Sequence, residues 1–212
     1  MYIKDLKDFF SSVSKDDFFE KVNFHIHSNF SDGKLDFDTL VEQAKQKKMK
    51  YISITDHNCV LGYKTSKYKN DEMLISGVEF DCFYRGSLLH ILGYGIDVEN
   101  KEINELCGKN EKERKNDLVR LFKMRHPKKV IDAIHNAGGV AVLAHPCCCN
   151  VINLSHYVKC LKKLGIDGIE THYPYGRFRA IVKFSSRKLP IELAKKYNLF
   201  ETGGSDEHNS LI

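Results

Sequence analysis

No run of 18 or more apolar residues occurs in the chain, so it offers no segment able to span a bilayer as a helix. The first 20 residues alternate acidic, basic and aromatic side chains and lack the apolar core and small residues of a secretion signal. The expected location is therefore cytoplasmic, with no membrane partner. Seven cysteines are present without a CxxC spacing, and the odd count with the missing signal argues for reduced thiols rather than a disulfide framework. Low-complexity tracts, internal repeats and interdomain linkers are also lacking. The net charge of +5 comes mostly from scattered lysines, which favours an anionic substrate or nucleic acid only weakly.

At 212 residues the chain is long enough for one substantial core, and barrels of this size often form a single domain. Residues 1–20 read as an amphipathic leader helix packed outside that domain, which is expected over 21–212. Short β-branched or aliphatic runs end in chemically loaded residues, and most are followed by helical periodicity, the pattern of a β/α barrel. Strands are expected over 22–26, 51–55, 73–78, 88–93, 140–144, 168–171 and 200–203. Helices are expected over 38–48, a long charged stretch from 101 to 123, 127–137, 155–164 and 190–197, with Gly138, Gly139 and Gly165 as helix stops.

His25 and His27 stand two residues apart in the first strand, so their side chains share a face, and Asp206 and His208 repeat that spacing near the end. Between them lie Asp32, His57, Glu79, His90 and His145, most of them at expected strand ends. Imidazole and carboxylate bind borderline and hard divalent cations, so the series reads as a multinuclear metal site at the carboxyl ends of the strands. His126, His135 and His156 read as ordinary surface or core histidines. Asp56 precedes His57 and either orients it or caps the turn. Glu170, His172 and Tyr173 end the sixth strand and face the same mouth if the register holds. Cys147, Cys148 and Cys149 follow His145 where a thiolate would touch the metal mouth, but packing is the simpler role. Phe24, Phe30, Phe80 and Phe83 read as core rather than as a base-stacking platform, so nucleic acid is not the favoured partner.

In this order the motifs resemble the polymerase and histidinol phosphatase (PHP) family of metal-dependent phosphoesterases. The resemblance rests on HxHxxxxSDG over His25 to Gly33, TDHN over Thr55 to Asn58, GVE over Gly77 to Glu79, the single His90, AHP over Ala144 to Pro146 and GGSDEH over Gly203 to His208. It spans about Asn23 to His208 and implies an α/β fold, a distorted seven-stranded β/α (TIM-like) barrel, with two or three divalent ions of manganese, iron or zinc. It further implies that His25, His27, Glu79 and Asp206 hold one metal, that Glu79 bridges to a second held by His90 and His145, and that Asp32, His57 and His208 hold a third. The implied reaction is hydrolysis of a phosphomonoester of a small metabolite or nucleotide by a metal-activated hydroxide. A phosphodiesterase or exonuclease, or a non-catalytic metal-binding module acting as a partner protein, is the alternative.

His172 and metal-bound water are the candidates for the acid on the leaving group. Longer members of the nucleotide-phosphatase branch carry a helical insertion with a substrate-clamping arginine and histidine. Here the matching stretch is short, from Leu121 through Arg125 and His126, so Arg177 and Arg179 are the substitute phosphate-binding candidates. The chain stops four residues after His208, as either a minimal member or a truncated one.

Overall fold

The strand expected over 73–78 begins only at Gly77, and the difference reorganises the centre of the molecule. The computed structural model describes residues 3–175 and 186–211. In it β1 (Val22–Ile26), β2 (Tyr51–Ile54), β3 (Gly77–Tyr84), β4 (Ser87–Tyr94), β5 (Val140–Leu143), β6 (Gly168–His172) and β7 (Phe200–Gly203) follow one another along the chain. β3 and β4 form an antiparallel hairpin through Arg85 and Gly86, both at positive φ (51° and 81°), the geometry of a tight two-residue turn whose twist matches its strands. The apolar run Met73-Leu74-Ile75 contributes only a single bridge, from Leu74 to Ile52. The true strand alternates Val78, Phe80 and Cys82, which enter the main apolar core, with Glu79 and Asp81, which face the site.

β1 and β2 pair in parallel, and β3-β4-β5-β6-β7 form a mixed sheet in that order. Single bridges join the two sheets: His57 to Glu79 on one side, and Ile26 to Glu207 on the other. Seven strands are thus present, six where expected and the third displaced to Gly77–Tyr84, but no continuous ladder closes them into a barrel among the described residues.

The long charged helix expected over 101–123 is three short ones. Asn100, Asn110 and Asn116 each cap a new start by accepting backbone N–H groups, which splits the stretch into Lys101–Leu106, Glu111–Lys115 and Asp117–Phe122. Elsewhere helices cover Phe37–Gln46, Leu61–Thr65, Pro127–Asn136, Leu154–Leu164 and Leu189–Tyr197. None of the described helices is long and apolar enough to cross a membrane. All seven cysteines are free thiols, with Cys59, Cys82 and Cys149 buried.

The leader forms a helix over Ile3–Ser12 that presses Leu6 and Phe10 into a second core. Phe10 stacks on Phe200 at 5.2 Å and meets Phe24 and Tyr94 edge-on or tilted at 5.1 Å. Lys7 pairs with Asp167 at 2.6 Å, adding a polar tie at the helix surface. Phe10→Ala is expected to cost about 3–5 kcal/mol by leaving a cavity among these rings. The urea midpoint should fall accordingly at unchanged m; a loss under about 1 kcal/mol would show that the leader is not part of the cooperative unit.

Candidate metal centre

Glu79 is the hub of the site. It is buried, and its two carboxylate oxygens face different histidines. Oε2 lies 3.2 Å from His25 Nε2, 3.2 Å from His27 Nε2 and 3.4 Å from His57 Nε2. Oε1 lies 2.8 Å from His90 Nδ1 and 3.2 Å from His145 Nε2. Asp206 Oδ1 completes the first side at 3.3 Å from His25 Nε2 and 3.0 Å from His27 Nε2. Around Asp32, Oδ1 stands 3.5 Å from His27 Nδ1 and 3.4 Å from His208 Nε2, and Oδ2 stands 3.6 Å from His57 Nε2.

Three groups result, each with ligand atoms within 4.8 Å of one another: His25, His27, Glu79 and Asp206; His27, Asp32, His57 and His208; and His57, Glu79 and His90. Eight of the nine residues singled out in the sequence fall in these groups, and His145 stands beside them. The first group is the one the resemblance implies. The other two differ in detail, because His27 and His57 each reach two groups and His145 approaches the third only through Glu79 Oε1 and His90 Nδ1, 3.2 Å away.

Backbone geometry explains part of this convergence. His145 and Asp206 sit at positive φ (24° and 51°), which turns both side chains back over the strand ends; such strain is tolerated where surrounding contacts enforce it. Gly204 allows the segment after β7 to lie directly against His25, where a Cβ would overlap the histidine backbone. Asp56 accepts from Ser28 N–H at 2.8 Å and from the Ser28 and Ser31 hydroxyls at 2.6 Å. It therefore ties down the loop that carries Asp32, rather than touching the His57 ring.

Two further carboxylates orient the histidines. Glu170, fully buried, accepts from His145 N–H at 2.7 Å and meets His25 Nδ1 at 3.1 Å, so it turns His25 Nε2 toward Glu79. Asp81 meets His57 Nδ1 and His90 Nε2 at 3.2 Å each and is itself held by the Asn58 side-chain amide. The sequence signal for both was the two-residue strand spacing: Asp81 follows Glu79 by two, and Glu170 precedes His172 by two. Arg120 was missed. It is buried at the floor of the mouth, 2.9 Å from Asp32 Oδ2 and 3.4 Å from Asp81 Oδ2, inside the stretch read as one solvated charged helix.

His172 is not brought to the cluster. The β6–β7 pairing shifts register between Glu170 and His172, so the alternation that sends Glu170 inward fails one step later. His172 stacks on Phe18 at 4.7 Å and stands 3.8 Å from Glu201. Tyr173 takes its place, its hydroxyl donating to Asp206 Oδ2 at 2.7 Å, and burial with the Asp206 charge raises its phenol above the ordinary range. Arg177 and Arg179 lie outside the described residues. Phe24 and Phe80 are core as expected, whereas Phe83 is half-exposed.

Charge balance shows what the array is built to hold. Burial alone would depress every histidine here, yet Asp206 and Glu79 outweigh it at His27, raised to about 10, and Glu79 and Asp81 outweigh it at His90, raised to about 9. At His57 burial prevails and the pKa falls. Burial opposes ionisation of Glu79 too, but the surrounding histidines hold it well below the carboxylate range. Within this array His25 Nε2, His27 Nδ1 and Nε2, and Glu79 Oε2 make no well-aligned hydrogen bond to protein. Buried donor atoms of this kind, aimed at one another, suit divalent cations bound by imidazole and carboxylate.

A proton and a metal therefore compete for the same nitrogens. Metal binding near pH 7.5 is expected to release protons, with apparent affinity rising with pH through about 9–10, the range over which His90 and then His27 lose their protons. Calorimetry in buffers of different ionisation enthalpy reads the proton count. In the metal-free chain the sign reverses. Stability from protonated His27 and His90 is fully present below their ordinary 6.5 and is lost as pH rises through about 9–10. Metal binding without proton release would contradict this assignment.

Fold and donor set together define a metal-dependent hydrolase. The chain belongs to the PHP family: the PHP domain model matches residues 23–173. It is 23% identical to phosphoribosyl 1,2-cyclic phosphate 1,2-diphosphodiesterase of Eggerthella lenta, over 88% of this chain and 93% of that protein. It is also 23% identical to the 5'-3' exoribonuclease Rnm of Escherichia coli, over 88% of this chain and 84% of the relative. Among solved structures, a Bifidobacterium adolescentis protein described as a metal-dependent phosphoesterase superposes with a TM-score of 0.70 at 20% identity, covering 90% of this chain and 88% of that one. An amidohydrolase of Chromobacterium violaceum gives 0.71 at 18% identity, covering 89% and 88%.

Proposed function

We propose that this PHP chain hydrolyses a phosphodiester bond at two or three divalent cations held by His25, His27, Asp32, His57, Glu79, His90, His145, Asp206 and His208. The observation that carries the reading is the divided Glu79 carboxylate, with one oxygen facing His25, His27 and His57 and the other facing His90 and His145. A carboxylate so placed suits two cations at once. Manganese, iron and zinc all accept this mixture of imidazole and carboxylate. Bound cations of this class acidify water and neutralise phosphoryl charge.

The protein's own part is positioning. Glu170 and Asp81 hold four of the histidines or their backbone in place. Arg120 offers a planar guanidinium for a phosphoryl oxygen. Tyr173 keeps its proton beside Asp206 and replaces His172 as the protic group at the mouth. Because no side chain among the described residues is poised as a covalent nucleophile, direct attack by water is the reaction this geometry favours.

The diester choice departs from the monoester favoured by the sequence motifs. Its support is that both relatives named above carry diester-cleaving names, one for a cyclic phosphate and one for RNA. Soluble expression in the cytoplasm and a small or nucleic-acid substrate are both compatible with this reading. Assays of a cyclic phosphodiester, a short 5'-phosphorylated oligoribonucleotide and simple monoesters with manganese, iron or zinc test it. Diester cleavage supports the proposal. Phosphate release from monoesters alone would restore the first expectation, and no turnover at two or more metals per chain would favour a non-catalytic metal-binding module.

A further inference from the structure

The short helix Asp117–Phe122 is turned inside out. Its one buried residue is Arg120, whereas Leu118 and Leu121 are 64% and 44% exposed. The cause is visible in the ion pairs: Asp32 and Asp81 draw the Arg120 guanidinium inward to the floor of the metal centre. Leu118 and Leu121, three residues apart, then lie one above the other on an adjoining face. With Leu88 and Met124 they line an open cavity of about 430 Å³ whose floor is made by His90, Asp81 and Arg120 and whose edge carries the exposed Asp117 carboxylate. Leu88 is 41% exposed, so three of the seven large exposed hydrophobics among the described residues line this one cavity. Apolar walls meeting convergent polar groups is the form of a small-ligand site.

We propose that this cavity receives the nucleobase of a nucleotide whose phosphate lies at the metal centre, an inference that rests on the phosphoester reading above. The chemistry of the walls selects the occupant. A sugar or polyol would surrender its hydrogen bonds to water against three leucines and a methionine, and the polar groups of the lining are already paired, Arg120 with Asp32, Asp81 and Asp117 and His90 with Glu79 and Asp81. A flat ring gains by burial against the same side chains. Because Arg120, Asp117, Asp81 and His90 are engaged with one another, the leucine and methionine walls make the contact, and recognition is by shape and apolar surface and is tolerant of base identity.

Equilibrium binding to the manganese-loaded chain tests this with phosphonate analogues of adenosine 5'-phosphate and ribose 5-phosphate, in which a methylene replaces the ester oxygen and hydrolysis cannot occur. The adenosine compound is expected to bind about tenfold or more tightly than the ribose compound. In Leu118→Ser/Leu121→Ser the two should bind within about twofold of each other, with ribose phosphonate affinity unchanged, since both side chains are exposed and neither is a proposed metal donor. Equal binding by the wild type, or a preference retained by the variant, would overturn the proposal. So would a dimer that the double substitution dissociates without changing the preference, which would make the patch a self-association surface. A clear preference without cleavage of any ester leaves this subsite standing and removes the hydrolytic reading, whereas cleavage without preference does the reverse.

Discussion

Glu79→Gln should lose activity by roughly a hundredfold to a thousandfold or more, the scale seen when electrostatic stabilisation is removed from an active site. The substitution keeps the shape and removes the charge that faces five histidines. Two cations would lose affinity together and would also lose the anion that screens their mutual repulsion. Metal content after saturation and dialysis should fall by more than one ion per chain, while a single histidine substitution should lose about one. A readout independent of metal is available as well. Glu79 is the largest influence raising His90, so in the metal-free variant His90 should titrate nearer its ordinary range by NMR. Near-normal turnover with full metal content in Glu79→Gln would refute the bridging assignment.

Glu170→Ala should be the most damaging change at a residue that is not itself a proposed ligand. It leaves His145 N–H and His25 Nδ1 without their acceptor in a fully buried position, which costs about 1–3 kcal/mol for each unmet group. Freed from that contact, His25 can rotate or change tautomer so that Nε2 no longer faces Glu79. Metal affinity or activity is expected to drop by about 10–100-fold. Loss of stability alone, with unchanged metal affinity at a temperature where the variant is folded, would make Glu170 a packing residue only.

His172 and Arg120 mark where local reading stopped working. His172 sits two residues after Glu170 and ought to share its face, but strand alternation holds only while the ladder is regular, and the register shift beyond Glu170 sends it against Phe18. Arg120 lies in a run whose charges read as a solvated helix. Its burial depends on Asp32 and Asp81, 88 and 39 residues distant in sequence, which no local pattern reveals.

The nine histidine and carboxylate positions, six of the seven strands and the helices flanking the late strands were legible in the chain itself. They depend on short-range rules: side chains two apart share a strand face, glycine stops helices, and metal donors are few in kind. The β3–β4 hairpin, the inward Arg120, the outward His172 and the sharing of His27 and His57 between groups were decided by the assembled structure. Each depends on what a distant segment places opposite it, because ion pairing, register and burial are properties of pairs of segments rather than of either one alone.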